Sequence, residues 1–223
     1  MKRVLFGLTV LLLTGLMTVP AAASPNDDDG AQRWHVTVEN LTPAGSQPLS
    51  PPLVVVHSQR ADVWSVGSIA NHGVAAIAED ANNAPLEEAL PDVRGVGAVF
   101  TVPGGPIPSG QSRSFDVDTR GRFDRLTLLT MLVNTNDAFT GLDSRHIQGR
   151  GGVIETMAYD AGSERNNELA GFIPGPCCNN PFVRDPEGAL IRPHTGITGV
   201  GDLDPAVYGW TEPAARITIT RAP

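Results

Sequence analysis

Apolar and polar residues alternate with a period of two near both ends of the chain. Trp34, Val36 and Val38 interleave with His35, Thr37 and Glu39, and Arg216-Ile217-Thr218-Ile219-Thr220 repeats the pattern before the C-terminus. Successive side chains of a strand point to opposite faces, so this spacing predicts strands with one buried side. Phe115 and Val117 alternate with Ser114, Asp116 and Asp118 in the same way, which puts both aspartates on a solvated face. The β-branched run Leu53-Val54-Val55-Val56-His57 predicts a buried strand, and the longer apolar run Leu126 to Val133 a central one. Val96 to Val102 predicts a further short strand, broken by Pro103-Gly104-Gly105-Pro106. Only Gly73 to Ala81 and Pro85 to Leu90 favour helix, through their alanines, leucines and acidic residues. Gly171 to Asp204, rich in Gly, Pro and Asn, reads as a long irregular excursion. Short strands, punctuating turns and little helix predict an all-β fold: an antiparallel β-sandwich with short helical insertions and long loops, in one domain over residues 34–221.

The N-terminus has a different pattern. Lys2 and Arg3 precede an interrupted apolar stretch from Val4 to Val19, and Ala21-Ala22-Ala23 offers small residues for cleavage. Residues 1–23 are thus expected to be a secretory signal peptide rather than a membrane anchor, being short and interrupted for a span. Residues 24–33 are expected to be a flexible lead-in. No later stretch is apolar and long enough to cross a bilayer as a helix. The expected location is secreted or periplasmic.

Charge narrows the partners. The leader carries Lys2, Arg3 and no carboxylate, so the 16 basic residues of the chain become 14 while all 24 acidic ones remain, a net charge of −10. Such a balance disfavours nucleic acid and anionic lipid as general partners and suits divalent cations. Every basic residue after Lys2 is arginine. The two cysteines are neighbours, Cys177-Cys178, and could close a vicinal ring, bridge two chains or stay free. A local structural role is the expectation, because outside the cytosol a disulfide is favoured and zinc needs more ligands at other spacings.

Candidate chemistry lies in two acidic loops. The first runs Asn134-Thr135-Asn136-Asp137-Ala138-Phe139-Thr140-Gly141-Leu142-Asp143 and the second Tyr159-Asp160-Ala161-Gly162-Ser163-Glu164. A hard cation such as calcium takes six to eight oxygens, and turns of this composition can present carboxylates and carbonyls together. Each residue also has a plainer role. Asp137 could make an Asx-turn, Asp160 a helix N-cap with Glu164 solvated, and Asp143 a surface pair with Arg145.

The inventory for catalysis is thin. Ser, His and Asp are present, but no Gly-x-Ser-x-Gly, no His-Glu-x-x-His and no phosphate-binding loop occurs. His35 should point outward, and His57, at the end of a buried strand, should be a hydrogen-bonded structural residue. His194 in the excursion is the best candidate for an exposed functional histidine. The alternative function is therefore an extracytoplasmic hydrolase with its site in residues 171–204.

Several segments resemble, in order, the spondin domain, the N-terminal module of F-spondin and mindin. Val36 to Leu41 with Pro48-Leu49-Ser50-Pro51 is similar to its opening strand and Pro-rich turn, and Val54 to His57 to the next strand. Ile77-Ala78-Glu79-Asp80 is similar to its helical insert, and Leu128 to Val133 followed by the first acidic loop to its strand and acidic turn. Tyr159 to Glu164 is similar to its Asp-Ala-Gly turn, and the likeness spans about residues 34 to 220. The resemblance implies a sandwich like those of calcium-dependent lipid-binding domains, with one structural calcium held by Asp137, Asp160 and Glu164. It departs where the animal proteins have Asp at Glu164 and Trp at Ala138. The function it implies is an exported calcium-binding module of binding or adhesion type, its partner an extracellular protein or glycan.

Overall fold

The structure is a computed structural model that describes residues 30–147, 149 and 151–222; the expected signal peptide and residues 24–29 lie outside them. Ten strands form two antiparallel sheets. They are β1 (Gln32–Asn40), β2 (Leu53–His57), β3 (Val96–Thr101), β4 (Ser112–Thr119), β5 (Arg125–Met131), β6 (Ala138–His146), β7 (Gly152–Thr156), β8 (Ala158–Asp160), β9 (Arg192–Pro193) and β10 (Ala215–Arg221). One sheet has the order β4-β1-β10-β7 and the other β3-β2-β5-β6-β8-β9. The antiparallel sandwich expected from patterning is the fold observed. The two alternating terminal strands pair with each other, Val36 opposite Ile219.

Alternation and continuity in the sequence report two kinds of sheet face. Trp34, Val36 and Val38 of β1 and Ile217 and Ile219 of β10 point into the core between the sheets, where they meet Val54 and Val56 of β2 and Leu126 and Leu128 of β5. The outer side of the four-stranded sheet is solvated, with Arg33 paired to Asp118 at 2.9 Å and His35 to Asp116 at 2.8 Å. The outer side of the six-stranded sheet is covered. Helices α1 (His72–Asp80) and α2 (Ala84–Ala89) pack Val74, Ile77 and Leu86 over Leu53, Val55, Leu129 and Phe139. A strand buried on both faces needs apolar residues at consecutive positions, which is why β2 reads Leu-Val-Val-Val. Helix α1 starts where the Asn71 side chain accepts hydrogen bonds from the backbone N–H groups of Gly73 and Val74, both at 3.0 Å.

Three expectations need correction. The stretch read as the remainder of the first acidic loop, Ala138 to Asp143, is the first part of β6. Its polar threonine and glycine concealed the strand. Thr140 is buried because its Oγ1 reaches the Met157 carbonyl at 2.8 Å, and Gly141 fits because a Cβ there would overlap the Leu128 carbonyl. Strand β1 begins at Gln32, inside the segment expected to be flexible, because Gln32 and Arg33 pair with Thr119 and Asp118 of β4. Finally, His194 is not exposed. It is 8% accessible, its ring lies 5.3 Å from Trp210, and both nitrogens are engaged. Nδ1 accepts from the Gly196 N–H at 2.9 Å, and Nε2 lies 3.0 Å from Asn166 Oδ1. His57 is the buried structural residue expected, with Nε2 at 2.8 Å from Thr127 Oγ1.

The excursion from Gly171 to Asp204 is irregular, as expected, yet anchored. Cys177 and Cys178 form a vicinal disulfide that packs beside Ile173, Ile197 and Leu203. The Glu168 carboxylate, 3% accessible, accepts from Thr198, Gly199 and Val200 N–H groups at 2.7–3.0 Å and fixes one of its turns.

Leu128→Ala is expected to destabilise the fold by about 2–5 kcal/mol, the range for truncating a fully buried leucine. Gly141→Ala should cost about 1–3 kcal/mol by overpacking. Urea unfolding followed by tryptophan fluorescence would measure both. Wild-type midpoints in either variant would contradict these packing assignments.

Candidate metal centre

The chain turns from β5 into β6 through Asn134-Thr135-Asn136-Asp137, all four buried. Each polar side chain holds a different segment. Asn134 Nδ2 donates to the Ser46 carbonyl at 2.7 Å, while its Oδ1 accepts from Cys177 N–H at 3.1 Å. Asn136 Oδ1 accepts from Glu168 N–H at 3.2 Å. Asp137 reaches the second acidic loop.

Register brings the two loops together. Ala138 of β6 pairs with Asp160 of β8, and the Ala161 N–H donates to the Asp137 carbonyl at 3.2 Å. Asp160 Oδ1 then accepts from Gly162 N–H at 2.6 Å in an Asx-turn, and Gly162 takes the left-handed conformation with φ +67°. A Cβ at Gly162 would collide with the Ala189 backbone, so only glycine fits this bend. The bend aims the N–H groups of Ser163 and Glu164 at Asp137 Oδ2, each at 2.9 Å.

The three sequence-predicted carboxylates thus occupy one end of the six-stranded sheet, 0%, 2% and 1% accessible for Asp137, Asp160 and Glu164. Their oxygens are not equivalent. Asp160 Oδ2 accepts from Asn166 Nδ2 at 2.7 Å and Arg192 Nε at 2.9 Å. Asp137 Oδ1 and both Glu164 carboxylate oxygens are buried with no hydrogen-bond partner. The charge nearest Glu164 is Arg184, whose Nε lies 3.5 Å from Oε1. Arg184 also pairs with Glu79 at 2.5 Å and with Asp80, the last two residues of α1. Among the described residues, no three His, Cys, Asp or Glu side chains are already converged as a ligand set. Asp160 is committed to its own bonds, and Arg184 lies against Glu164. Asp143 does not join the group. Its carboxyl sits further along β6, raised by partial burial and by Asp62 against the influence of His57.

Bare buried oxygens cost free energy as anions, which raises the pKa of these carboxyls. Burial, reinforced by the Asp160 charge, pushes Asp137 up from 3.8 to about 7 against its hydrogen bonds from Glu164 and Ser163. Burial, with repulsion from Glu79 and Asp137, pushes Glu164 from 4.5 to about 8. Glu79, Asp80 and Arg184 escaped the sequence reading. Arg184 lies in an irregular segment far along the chain with no local pattern, whereas the adjacent Glu79-Asp80 at the end of a predicted helix offered a signal.

The pH dependence follows. A carboxyl whose folded pKa is raised adds stability at low pH and loses it as pH climbs through the folded value. His194 acts in the opposite sense. Burial lowers it from 6.5 to about 4, so its cost grows as pH falls from 6.5 towards 4. Of these three groups, the two carboxyls are the ones whose folded values lie above pH 6.5. With chelator present, the melting temperature is expected to fall between pH 6.5 and 8.5, and Glu164→Gln should flatten that slope. A slope unchanged by the substitution would refute the assignment.

No curated protein matches the chain. The family model described as Spondin_N matches residues 41–165, which include β2 to β8 and all three clustered carboxylates. The match covers more than half of the 223 residues, and the chain belongs to the spondin N-terminal domain family.

Proposed function

We propose that this chain is an exported, calcium-binding β-sandwich module that works by binding an extracellular protein or glycan, with the metal in a structural role. The observation that carries the reading is the trio of buried oxygens on Asp137 and Glu164 that accept no hydrogen bond, one of them 3.5 Å from Arg184 Nε. Oxygens of this kind are the ligands a hard cation requires, and a protein interior otherwise avoids leaving them bare. Asp137 and Glu164 would hold the ion directly. Asp160 would join them only by exchanging its bonds to Asn166 and Arg192, and otherwise acts by shaping the turn that aims Ser163 and Glu164. A bound divalent ion would offset the mutual repulsion of the acidic residues and clamp the second loop against β6.

Extracytoplasmic delivery rests on the leader ending at Ala23, and the family assignment supports an extracellular binding role. The described residues contain no helix long and apolar enough to cross a membrane. For the alternative hydrolase, His194 offers little. Both its ring nitrogens are taken, and burial keeps it neutral.

Calcium titration by calorimetry, paired with melting scans, would test the reading. Wild-type protein should bind calcium and gain about 2.7 kcal/mol when the free ion is a hundredfold above Kd. Asp137→Asn and Glu164→Gln should each remove most of that gain, while their metal-free forms, relieved of a buried acid, should melt no lower than wild type. Asp160→Asn should weaken binding more than Asp143→Asn. Absence of bound calcium in the wild type, or full binding by Glu164→Gln, would reject the site.

A further inference from the structure

The far end of the same sheet has the opposite charge. Pairing places His57 of β2, Arg125 of β5 and His146 of β6 in one row across three strands. Strand β5 runs from there to Met131, so this row and the acidic loops are separated by about 20 Å, the length of seven extended residues. Beside the row is a concave pocket of ≈450 Å³ lined by Ser58, Gln59, Arg60, Arg122, Asp124, Arg125 and His146. It holds three guanidiniums and a histidine against one carboxylate, in a chain whose acidic residues outnumber the basic ones 24 to 16.

The lining is partly pre-set. Asp124 holds His146, with Oδ2 at 2.9 Å from Nε2, and one carboxylate faces three guanidiniums in the lining. Arg125 is held by an Nη1 bond of 3.0 Å to the Ser144 carbonyl, yet its buried Nε–H has no acceptor. Arg122 lies over the Phe123 ring, 4.9 Å from the centroid, which restricts its stem. Arg60 is exposed on the turn after β2, where Ser58 N–H donates to the Gly95 carbonyl at 2.8 Å. A pocket with three arginines and one carboxylate is matched by a ligand that supplies oxygens only. Guanidinium forks suit tetrahedral oxyanions better than ammonium groups do.

We propose that this pocket binds a tetrahedral oxyanion, phosphate or sulfate, free or carried as an ester on a sugar. Arg60, Arg122 and Arg125 supply the charge-assisted hydrogen bonds, and Ser58 and His146 border the ligand. The pocket is larger than a bare ion needs, which leaves room for the sugar that would bear it. The site shares no residue with the acidic end, so it stands or falls independently of calcium.

Calorimetry and amide chemical-shift titration with inorganic sulfate and with glucose 6-phosphate, each against chloride at equal ionic strength, provide the test. Saturable binding of either probe is expected, with shifts confined to the ends of β2, β5 and β6. Tighter binding of the sugar ester would identify the carried form, and equal or tighter binding of sulfate the free ion. The double substitution Arg60→Ala/Arg122→Ala, on exposed side chains, should retain the wild-type melting temperature and weaken binding roughly tenfold or more, as loss of charge-assisted bonds implies. Arg125→Gln should act in the same direction. No binding beyond the chloride control, or an affinity that the double substitution leaves unchanged, overturns the proposal.

Discussion

One half-satisfied carboxylate organises the acidic end of this protein. Asp137 is fully buried at the start of β6, where Oδ2 gathers the backbone N–H groups of Ser163 and Glu164 and Oδ1 gathers nothing. The satisfied oxygen ties the turn after β8 to the strand before it. The bare oxygen accepts no hydrogen bond, and neither do the two oxygens of Glu164, which Arg184 Nε approaches at 3.5 Å. A hydrogen-bonded buried carboxylate would be a structural clamp and nothing more. The unpaired remainder is what the proposed cation site rests on.

The sandwich makes that arrangement affordable. Its inter-sheet core and the helix-covered outer core are built from apolar side chains, and Asn134, Asn136 and Asp137 sit beyond a strand end, where turns supply donors. Asn134, Asn136 and Asp137 each reach a separate segment: Asn134 holds Cys177 of the long excursion, and Asn136 and Asp137 hold Glu168 and Glu164 ahead of it. Arg184 then closes over Glu79, Asp80 and Glu164 from that excursion. Acids thus predominate around Asp137 at one end of β5 and β6, and arginines around Arg125 at the other.

Legibility followed local physics. Strands β1, β4 and β10 were readable because one of their faces is wet and alternation survives. Strands β2 and β5 were readable because both faces are dry. β6 was not. Thr140 and Gly141 break the apolar run, and their places are set by the Met157 carbonyl and by the backbone of Leu128, neither of them local in sequence. The short β7 and β8 are likewise held by partners far along the chain. His194 looked exposed because it follows a proline in an irregular stretch. Trp210 and Asn166, which bury and bond it, come from either side of that stretch.

The sequence alone determined the sheet architecture, the acidic balance, the neighbouring cysteines and three carboxylates worth testing, since these depend on composition and on periodicities of a few residues. Tertiary structure decided how each carboxylate is used. Register placed Asp160 beside Asp137, hydrogen bonding spent the oxygens of Asp160, and burial left those of Glu164 bare. It also brought Arg60, Arg122 and Arg125 to one pocket. Solvation and hydrogen-bond satisfaction depend on every group that packs nearby, and most of those groups are distant in the chain.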